Sequence, residues 1–110
     1  MRILLATTLL IGAGLFATAA QASDYKFDVI NKGDTAAVEF RTQENGEWSK
    51  NWIRDRINSG DKFNMDFNHN DGECEVRTQI TFEDGSSFDA GVDYCKVTVL
   101  TIFNDHMVAE

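Results

Sequence analysis

The chain has no proline, two cysteines and two histidines among its 110 residues. His69 and His106 stand beside no recognisable nucleophile motif, and there is no G-x-S-x-G segment, so nucleophilic catalysis has little to build on. A glycine-rich phosphate loop is also missing, which argues against nucleotide binding. We therefore predict that the protein is not an enzyme and that it needs no cofactor.

Positive charge is scarce as well. Asp and Glu number 18 against 10 Lys and Arg, giving a formal net charge of -8. Such a surface repels DNA, RNA and anionic lipid, so we predict no nucleic-acid partner. It favours another protein or a cationic ligand as partner, although an acidic surface also serves simply to keep a protein soluble.

Long apolar runs are limited to one, the uncharged stretch from Ile3 to Phe16 that follows Arg2. It is too short to span a bilayer comfortably, so we predict no membrane insertion. Ala20 and Ala22 are small residues at the two positions that a signal peptidase reads. We predict a secretory signal peptide over residues 1–22 and a single soluble domain over 23–110, located in the periplasm or secreted.

The two cysteines are Cys74 and Cys95, and they do not form a C-x-x-C pair. In an exported protein this spacing predicts one structural disulfide. Removal of 22 residues from 110 leaves 88, and a domain of that size buries a modest core and gains much from a cross-link.

Most of the mature chain alternates apolar and polar residues between turn-forming segments, a pattern typical of short strands. The strand segments are 25–29, 36–42, 63–67, 74–82, 88–95 and 97–103. We predict an all-β fold, a small antiparallel β-sandwich (Ig-like or Greek-key) of five to seven strands. The first two strands are expected to pair, the last segment to be covered on both faces, and residues 104–110 to form a polar tail.

A hairpin is predicted at Asp84-Gly85, because a tight turn needs positive φ. A two-residue loop there places Cys74 opposite Cys95. The same register, however, turns the apolar side chains at alternate positions from Phe88 onward away from the core. A three-residue loop with a bulge would instead pair Phe82 with Phe88, and would need a further bulge to join the cysteines. The sequence leaves this register open.

One stretch imitates a calcium loop, because Asp66 and Asn68 place side-chain oxygens at alternate positions. A calcium loop has glycine at its sixth position and glutamate at its twelfth, where this chain has Asp71 and Arg77. Asn, Asp and Gly are also ordinary turn residues. We predict no metal site, and Asp66, Asn68 and Asp71 are the weak candidates for a calcium-binding alternative.

The segment from Trp48 to Lys62 contains both tryptophans and an island of basic residues. Aromatic and guanidinium groups dominate binding hot spots, so the predicted partner-binding residues are Trp48, Trp52, Arg54 and Arg56. Their spacing fits either one or two helical turns or an irregular loop. The alternative is that the tryptophans cover the open end of the sandwich.

The order of Trp52, Gly60, Cys74, the turn at 82–85 and Cys95 resembles a group of small exported bacterial proteins with uncharacterised β-sandwich domains. Some such proteins carry an argininosuccinate lyase label, which a chain of this length without that enzyme's long helices does not justify. The resemblance implies a β-sandwich and an exported compartment, and it implies no activity.

These observations together predict a soluble periplasmic or secreted binding or accessory module that uses the Trp48 to Lys62 segment. One alternative is an acidic proteinaceous inhibitor of a cationic secreted enzyme such as lysozyme, for which the charge is suitable. The other alternative is the weak calcium-binding protein.

Overall fold

The computed structural model describes residues 25–68 and 72–110, so the predicted signal peptide over 1–22 lies outside the described residues. Within these ranges the chain forms eight strands and no helix, and thus no helix capable of crossing a membrane. The strands are β1 (Lys26–Asn31), β2 (Ala37–Glu44), β3 (Glu47–Trp48), β4 (Lys62–Asp66), β5 (Glu75–Phe82), β6 (Ser87–Asp93), β7 (Val99–Ile102) and β8 (Met107–Ala109).

The strands form two four-stranded sheets, with orders β4-β1-β7-β8 and β3-β2-β5-β6. Neighbouring strands are antiparallel except for the parallel pair β1 and β7. The predicted all-β sandwich is confirmed. The described residues form eight strands rather than five to seven. The two strands that the sequence did not predict are β3, which has only two residues, and β8, which pairs with β7 in the segment expected to be a polar tail.

A single hydrophobic core lies between the sheets and takes alternate residues from each. Val29 and Leu100 contribute from the first sheet, and Phe40 and Ile80 from the second. In β7 the residues alternate between fully buried and half-buried positions. The prediction that this segment is covered on both faces therefore holds in part: one face of β7, an inner strand of its sheet, is fully buried and the other is half-buried.

β1 and β2 lie in different sheets, so the prediction that they pair is wrong. The reason is Asn31, the last residue of β1, which is 0 % exposed. Its Nδ2 donates to the carbonyl oxygens of Thr35 (2.9 Å) and Ile57 (2.7 Å), and its Oδ1 accepts from the Gly33 N–H (2.8 Å). These bonds direct the chain out of the first sheet and into the second instead of back on itself.

The β5–β6 hairpin has a three-residue loop, Glu83-Asp84-Gly85. The Gly85 N–H donates to the Phe82 carbonyl oxygen (2.9 Å), and Gly85 has φ 91°, as in a tight turn that ends in a glycine bulge. The register pairs Ile80 with Phe88. A three-residue loop was one of the two predicted alternatives, but it was expected to pair Phe82 with Phe88. In the structure Phe88 instead pairs with Ile80, two residues earlier in β5.

This register places Tyr94 opposite Cys74, whose carbonyl oxygen accepts from the Tyr94 N–H (2.7 Å). The chain then turns, with the Cys95 N–H donating to Asp93 Oδ1 (3.0 Å). The turn brings Cys95 to Cys74, with Cα atoms 5.1 Å apart, and the predicted disulfide is confirmed. It lies where the chain leaves the second sheet for the first.

Replacing both Cys74 and Cys95 with serine is expected to lower the free energy of unfolding by about 3 kcal/mol, because the cross-link restricts the unfolded chain. Urea unfolding followed by tryptophan fluorescence measures the change. A reductant should shift the midpoint of the wild type by a similar amount and leave the double variant unaffected. A wild-type midpoint that the reductant does not move would contradict this account.

Asn31→Ala is expected to lower the free energy of unfolding by about 2–4 kcal/mol, since it removes three hydrogen bonds and leaves the buried Gly33 N–H without its partner. Asn58→Ala is the matched control, because Asn58 is exposed and its side chain makes no hydrogen bond in the described part of the chain. The control should change stability by less than about 0.5 kcal/mol. Equal losses in the two variants would refute the role of the buried amide.

Candidate functional site

The segment between β3 and β4 runs along the outer edge of β2. The Trp52 N–H donates to the Phe40 carbonyl oxygen (2.8 Å), and Ala37 and Ile57 form an isolated bridge further along. Of the two conformations that the sequence left open, the described chain adopts the irregular one, with no helical turn. Because the segment is tied to an edge strand, its side chains have fixed positions.

Asn51 takes over part of the pairing that a regular strand would provide. Its Oδ1 accepts from the Phe40 N–H (2.9 Å), and its Nδ2 donates to the Val38 carbonyl oxygen (3.0 Å). A side-chain amide carries the same donor and acceptor as a peptide group. The edge of β2 is thereby satisfied without a continuous neighbouring strand, and the chain is free to present Trp48 and Trp52 on one side.

Trp52 is half-buried and already has partners. Its ring packs against Phe67 with centroids 4.7 Å apart, and its Nε1–H donates to Thr42 Oγ1 (3.0 Å). The Lys50 ammonium lies 5.5 Å from the ring centroid, within the range of a cation–π contact. Trp52 therefore belongs partly to the core, as the covering interpretation predicts for a tryptophan in this segment.

Trp48 differs, because 39 % of it is exposed. Among the described residues, no hydrogen bond or ring contact involves its side chain. It lies in β3, which is joined to β2 by the two-residue turn Asn45-Gly46, and both turn residues have positive φ, as a primed hairpin turn requires. This short hairpin pairs Trp48 with Gln43, at the edge of the sheet that the segment containing Trp52 also follows.

Arg54 and Arg56 lie outside this arrangement. Both are exposed, and Arg56 forms an ion pair with Glu83 in the β5–β6 loop. Ion pairs between exposed side chains contribute little to stability. The structure thus brings together the two tryptophans of the predicted partner-binding set and leaves the two arginines apart from them.

A cleft of about 320 Å³ lies between the β2–β3 hairpin and the disulfide end of β5. Aromatic rings form much of its wall, and polar residues of the hairpin form the rest. The described residues that line it are Tyr25, Thr42, Glu44, Asn45, Glu47, Trp48, Ser49, Trp52, Phe67, Glu73, Val76 and Tyr94.

The charge on this cleft is negative. Glu44, Glu47 and Glu73 line it with exposed carboxylates, and none of the described lining residues is Lys, Arg or His. A neighbouring depression of about 420 Å³ shares Glu44 and Glu73 and adds Glu75. Sequence analysis missed these residues, because each is one of 18 acids. The β2–β3 hairpin brings Glu44 and Glu47 together, and the pairing of β2 with β5 brings Glu73 to the same end of the sheet.

Tyr94 contributes a hydroxyl group to the otherwise mainly aromatic wall of the cleft. Its hydroxyl shares a 2.6 Å hydrogen bond with the Thr78 hydroxyl, and its ring packs against Phe27 and Phe67 with centroids 5.2 and 5.0 Å away. Burial raises the pKa of the Tyr94 hydroxyl far above its usual range, and the bond to Thr78 offsets part of this rise. Tyr94 is therefore neutral in the folded protein throughout the physiological range.

The weak calcium candidates show the contacts of a turn. Asp66 Oδ1 accepts from the Asn68 N–H (2.7 Å), and Asn68 has φ 63°, while Asp71 lies outside the described residues. Cys74, Cys95 and Asp93 also bring potential ligand atoms within 4.8 Å of one another. Both sulfurs are in the disulfide, however, and are not thiolates able to bind a metal.

The raised pKa of the buried Tyr94 hydroxyl leads us to expect that the free energy of unfolding falls at alkaline pH. Because its pKa is raised in the folded state, its contribution is constant below the unfolded pKa near 10 and falls above it by up to about 1.4 kcal/mol per pH unit. The slope of the unfolding free energy between pH 9 and 11.5 should be shallower in Tyr94→Phe than in the wild type. Parallel slopes would show that the tyrosine ionises equally easily in both states.

Comparison of the chain with protein-family models, with curated proteins and with solved structures finds no match.

Proposed function

We propose that this protein is an exported binding module that uses the tryptophan cleft, the pocket lined by Trp48, Trp52, Glu44, Glu47 and Glu73, to bind a basic partner protein. The observation that carries the proposal is a concave surface, partly aromatic and lined by three glutamates, of which the exposed residue Trp48 forms part. Tryptophan is enriched in binding hot spots. Clefts with an apolar wall and a few polar groups are the usual form of a binding site.

The compartment belongs to the same proposal. A short apolar run that ends in Ala20-Gln21-Ala22 supports export, and the disulfide supports an oxidising environment. The mature domain would then work in the periplasm or outside the cell. There its net negative charge would attract basic proteins and speed their association.

If the basic partner is a secreted enzyme such as lysozyme, binding at the cleft could also inhibit it. The same observation favours it, because carboxylates beside an exposed tryptophan suit a basic surface near an active site. Binding and inhibition need the same surface and differ only in what happens to the partner. One titration can therefore measure both.

The test is direct binding of the mature, disulfide-bonded domain to a panel of basic proteins that includes lysozyme, by calorimetry at low and high salt. Trp48→Ala should weaken binding at least tenfold, because it removes the exposed indole. Val108→Ala is the control, since Val108 is a large hydrophobic residue with similar exposure and does not line the cleft. It should bind like the wild type.

High salt should weaken the association, because part of the attraction is between exposed charges. Lysozyme activity measured in the same samples distinguishes inhibition from simple binding. Wild-type affinity in Trp48→Ala would refute the proposed surface. Failure of every basic protein in the panel to bind at low salt would refute the proposed partner class.

A further inference from the structure

We infer that the outer edge of β6 binds an extended strand of a partner protein, which alternates basic and apolar side chains and joins the sheet through main-chain hydrogen bonds. This edge is separate from the tryptophan cleft, because none of the described residues that line the cleft belongs to β6. The two sites are independent, so binding at β6 does not require that the cleft binds a basic protein.

β6 is the longest of the four strands that end the two sheets. It has seven residues, whereas β4, β8 and β3 have five, three and two. The segment that contains Trp52 covers the other end of the same sheet, since the Trp52 N–H donates to the Phe40 carbonyl oxygen of β2. In the described part of the chain, no strand pairs with the outer side of β6. A long unpaired edge is a template for a further strand.

The hydrogen bonds at the two ends of the β5–β6 ladder show which backbone groups of β6 face outward. The Tyr94 N–H donates to the Cys74 carbonyl oxygen (2.7 Å), and the Phe82 N–H donates to the Ser86 carbonyl oxygen (2.8 Å). Bonded pairs recur at every second residue of an antiparallel ladder. The even-numbered residues of β6 therefore bond to β5, and the odd-numbered residues direct their N–H and C=O groups away from the sheet.

Three of these odd-numbered residues, Ser87, Asp89 and Gly91, are exposed. Gly91 has no positive φ and lies in a regular stretch of the ladder, so neither a turn nor a bulge explains a glycine there. A Cβ at Gly91 would meet the carboxylate end of the flexible Glu75 side chain at 2.8 Å. Glycine inside a strand often marks a place where another backbone approaches closely, and the outer edge of β6 offers such an approach.

An apolar seam beneath this edge selects the inward side chains of the added strand. Phe88 of β6 and Met107 of β8 pack against the core and remain partly exposed, as does Ala90. β6 and β8 lie beside each other at this side of the sandwich. An added strand would cover the seam, and apolar side chains there would be removed from water together with it. The inward positions of the strand should therefore be apolar.

The charge on the outer face selects the outward side chains. Asp89 and Asp93 lie on this face of β6, and Glu75 stands opposite Asp93 in β5. On the outer face of β5 and β6 the one cation is Arg77, which pairs with Asp89 at 2.8 Å. Opposed charges of opposite sign stabilise neighbouring strands, and like charges destabilise them. A second copy of this chain would bring its own net charge of -8 to the edge, so the occupant is a basic strand of another protein.

The experiment is an NMR titration of the ¹⁵N-labelled mature domain with a blocked peptide that alternates lysine and valine and matches the seven residues of β6. The amide signals of Ser87, Asp89 and Gly91 should shift together, while those of Phe88 and Ala90, already bonded to β5, shift little. With about nine-tenths of the protein bound, hydrogen exchange at the three outward amides should slow about tenfold, because only the free fraction exchanges.

Two further peptides of equal composition test the main-chain bonds. In an added antiparallel strand the lysine N–H groups face β6 and the valine N–H groups face solvent. Methylation of the lysine backbone nitrogens should abolish binding, because it removes the donors, whereas methylation of the valine backbone nitrogens should preserve it. Equal binding of the two methylated peptides would refute strand addition, whatever the charge contributes.

Asp89→Asn tests the charge contribution. It should weaken binding of the lysine and valine peptide about threefold, as expected for the loss of one cross-strand ion pair. Asp61→Asn is the matched control, because it removes the same charge from an exposed position outside β5 and β6, and it should bind like the wild type. Equal weakening in both variants would reduce the effect to net charge and overturn the choice of a basic strand.

The remaining outcomes distinguish the edge of β6 from the cleft and from a second copy. Shifts of the Trp48 and Trp52 indole N–H signals with unchanged β6 amides would place the peptide in the cleft and overturn the inference. Dimerisation of the peptide-free protein through the same three amides would make a second copy the occupant and overturn it too. The proposed function fails instead if no basic protein binds, a result that leaves the response of β6 to the peptide unchanged.

Discussion

The buried amide of Asn31 is the constraint on which the arrangement of the chain depends. A side chain that is 0 % exposed must satisfy its polar atoms inside the protein. Here the partners are backbone groups of Gly33, Thr35 and Ile57. These bonds send the chain from the first sheet to the second and hold Ile57 beside the start of β2, so the segment before Ile57 must follow that edge.

The cleft follows from this path together with the disulfide. The segment along β2 places the Trp52 indole at Thr42, and the Asn45-Gly46 turn places Trp48 opposite Gln43. β5 brings its own beginning to the same end, because Gln43 pairs with Arg77. The disulfide then holds Glu73 and Tyr94 there. Residues far apart in the sequence thus meet around one concavity.

The sequence predicted the features that depend on local pattern. Alternation indicates which segments are strands and which side chains face inward, and two lone cysteines indicate a disulfide, as Cys74 and Cys95 do. The pairing of strands depends on contacts across the chain, such as those of Asn31, and alternation contains no information on them. Neither of the two hairpin registers that the sequence left open is the observed one. Gly85 belongs to a three-residue loop, and the Asp-Gly dipeptide alone does not determine how the strands on either side of that loop pair. The tryptophans were predicted as the partner surface, whereas the carboxylates of the same cleft meet through the β2–β3 hairpin and the β2–β5 pairing.

Acidic residues, and not the predicted arginines, line the cleft together with the tryptophans. This changes the roles expected of the charged and the aromatic side chains. With Arg54 and Arg56 outside the cleft, the charged residues that line it have the same sign as the whole protein, so long-range attraction and short-range contact favour the same cationic partner. Exposed carboxylates act mainly on the rate of association and on the choice of partner, and they are screened by salt. The lifetime of a complex depends instead on desolvated contacts, and Trp48 is the exposed aromatic residue at the cleft that can supply them. Selectivity would therefore come from the hairpin carboxylates, and the lifetime of the complex from the exposed tryptophan.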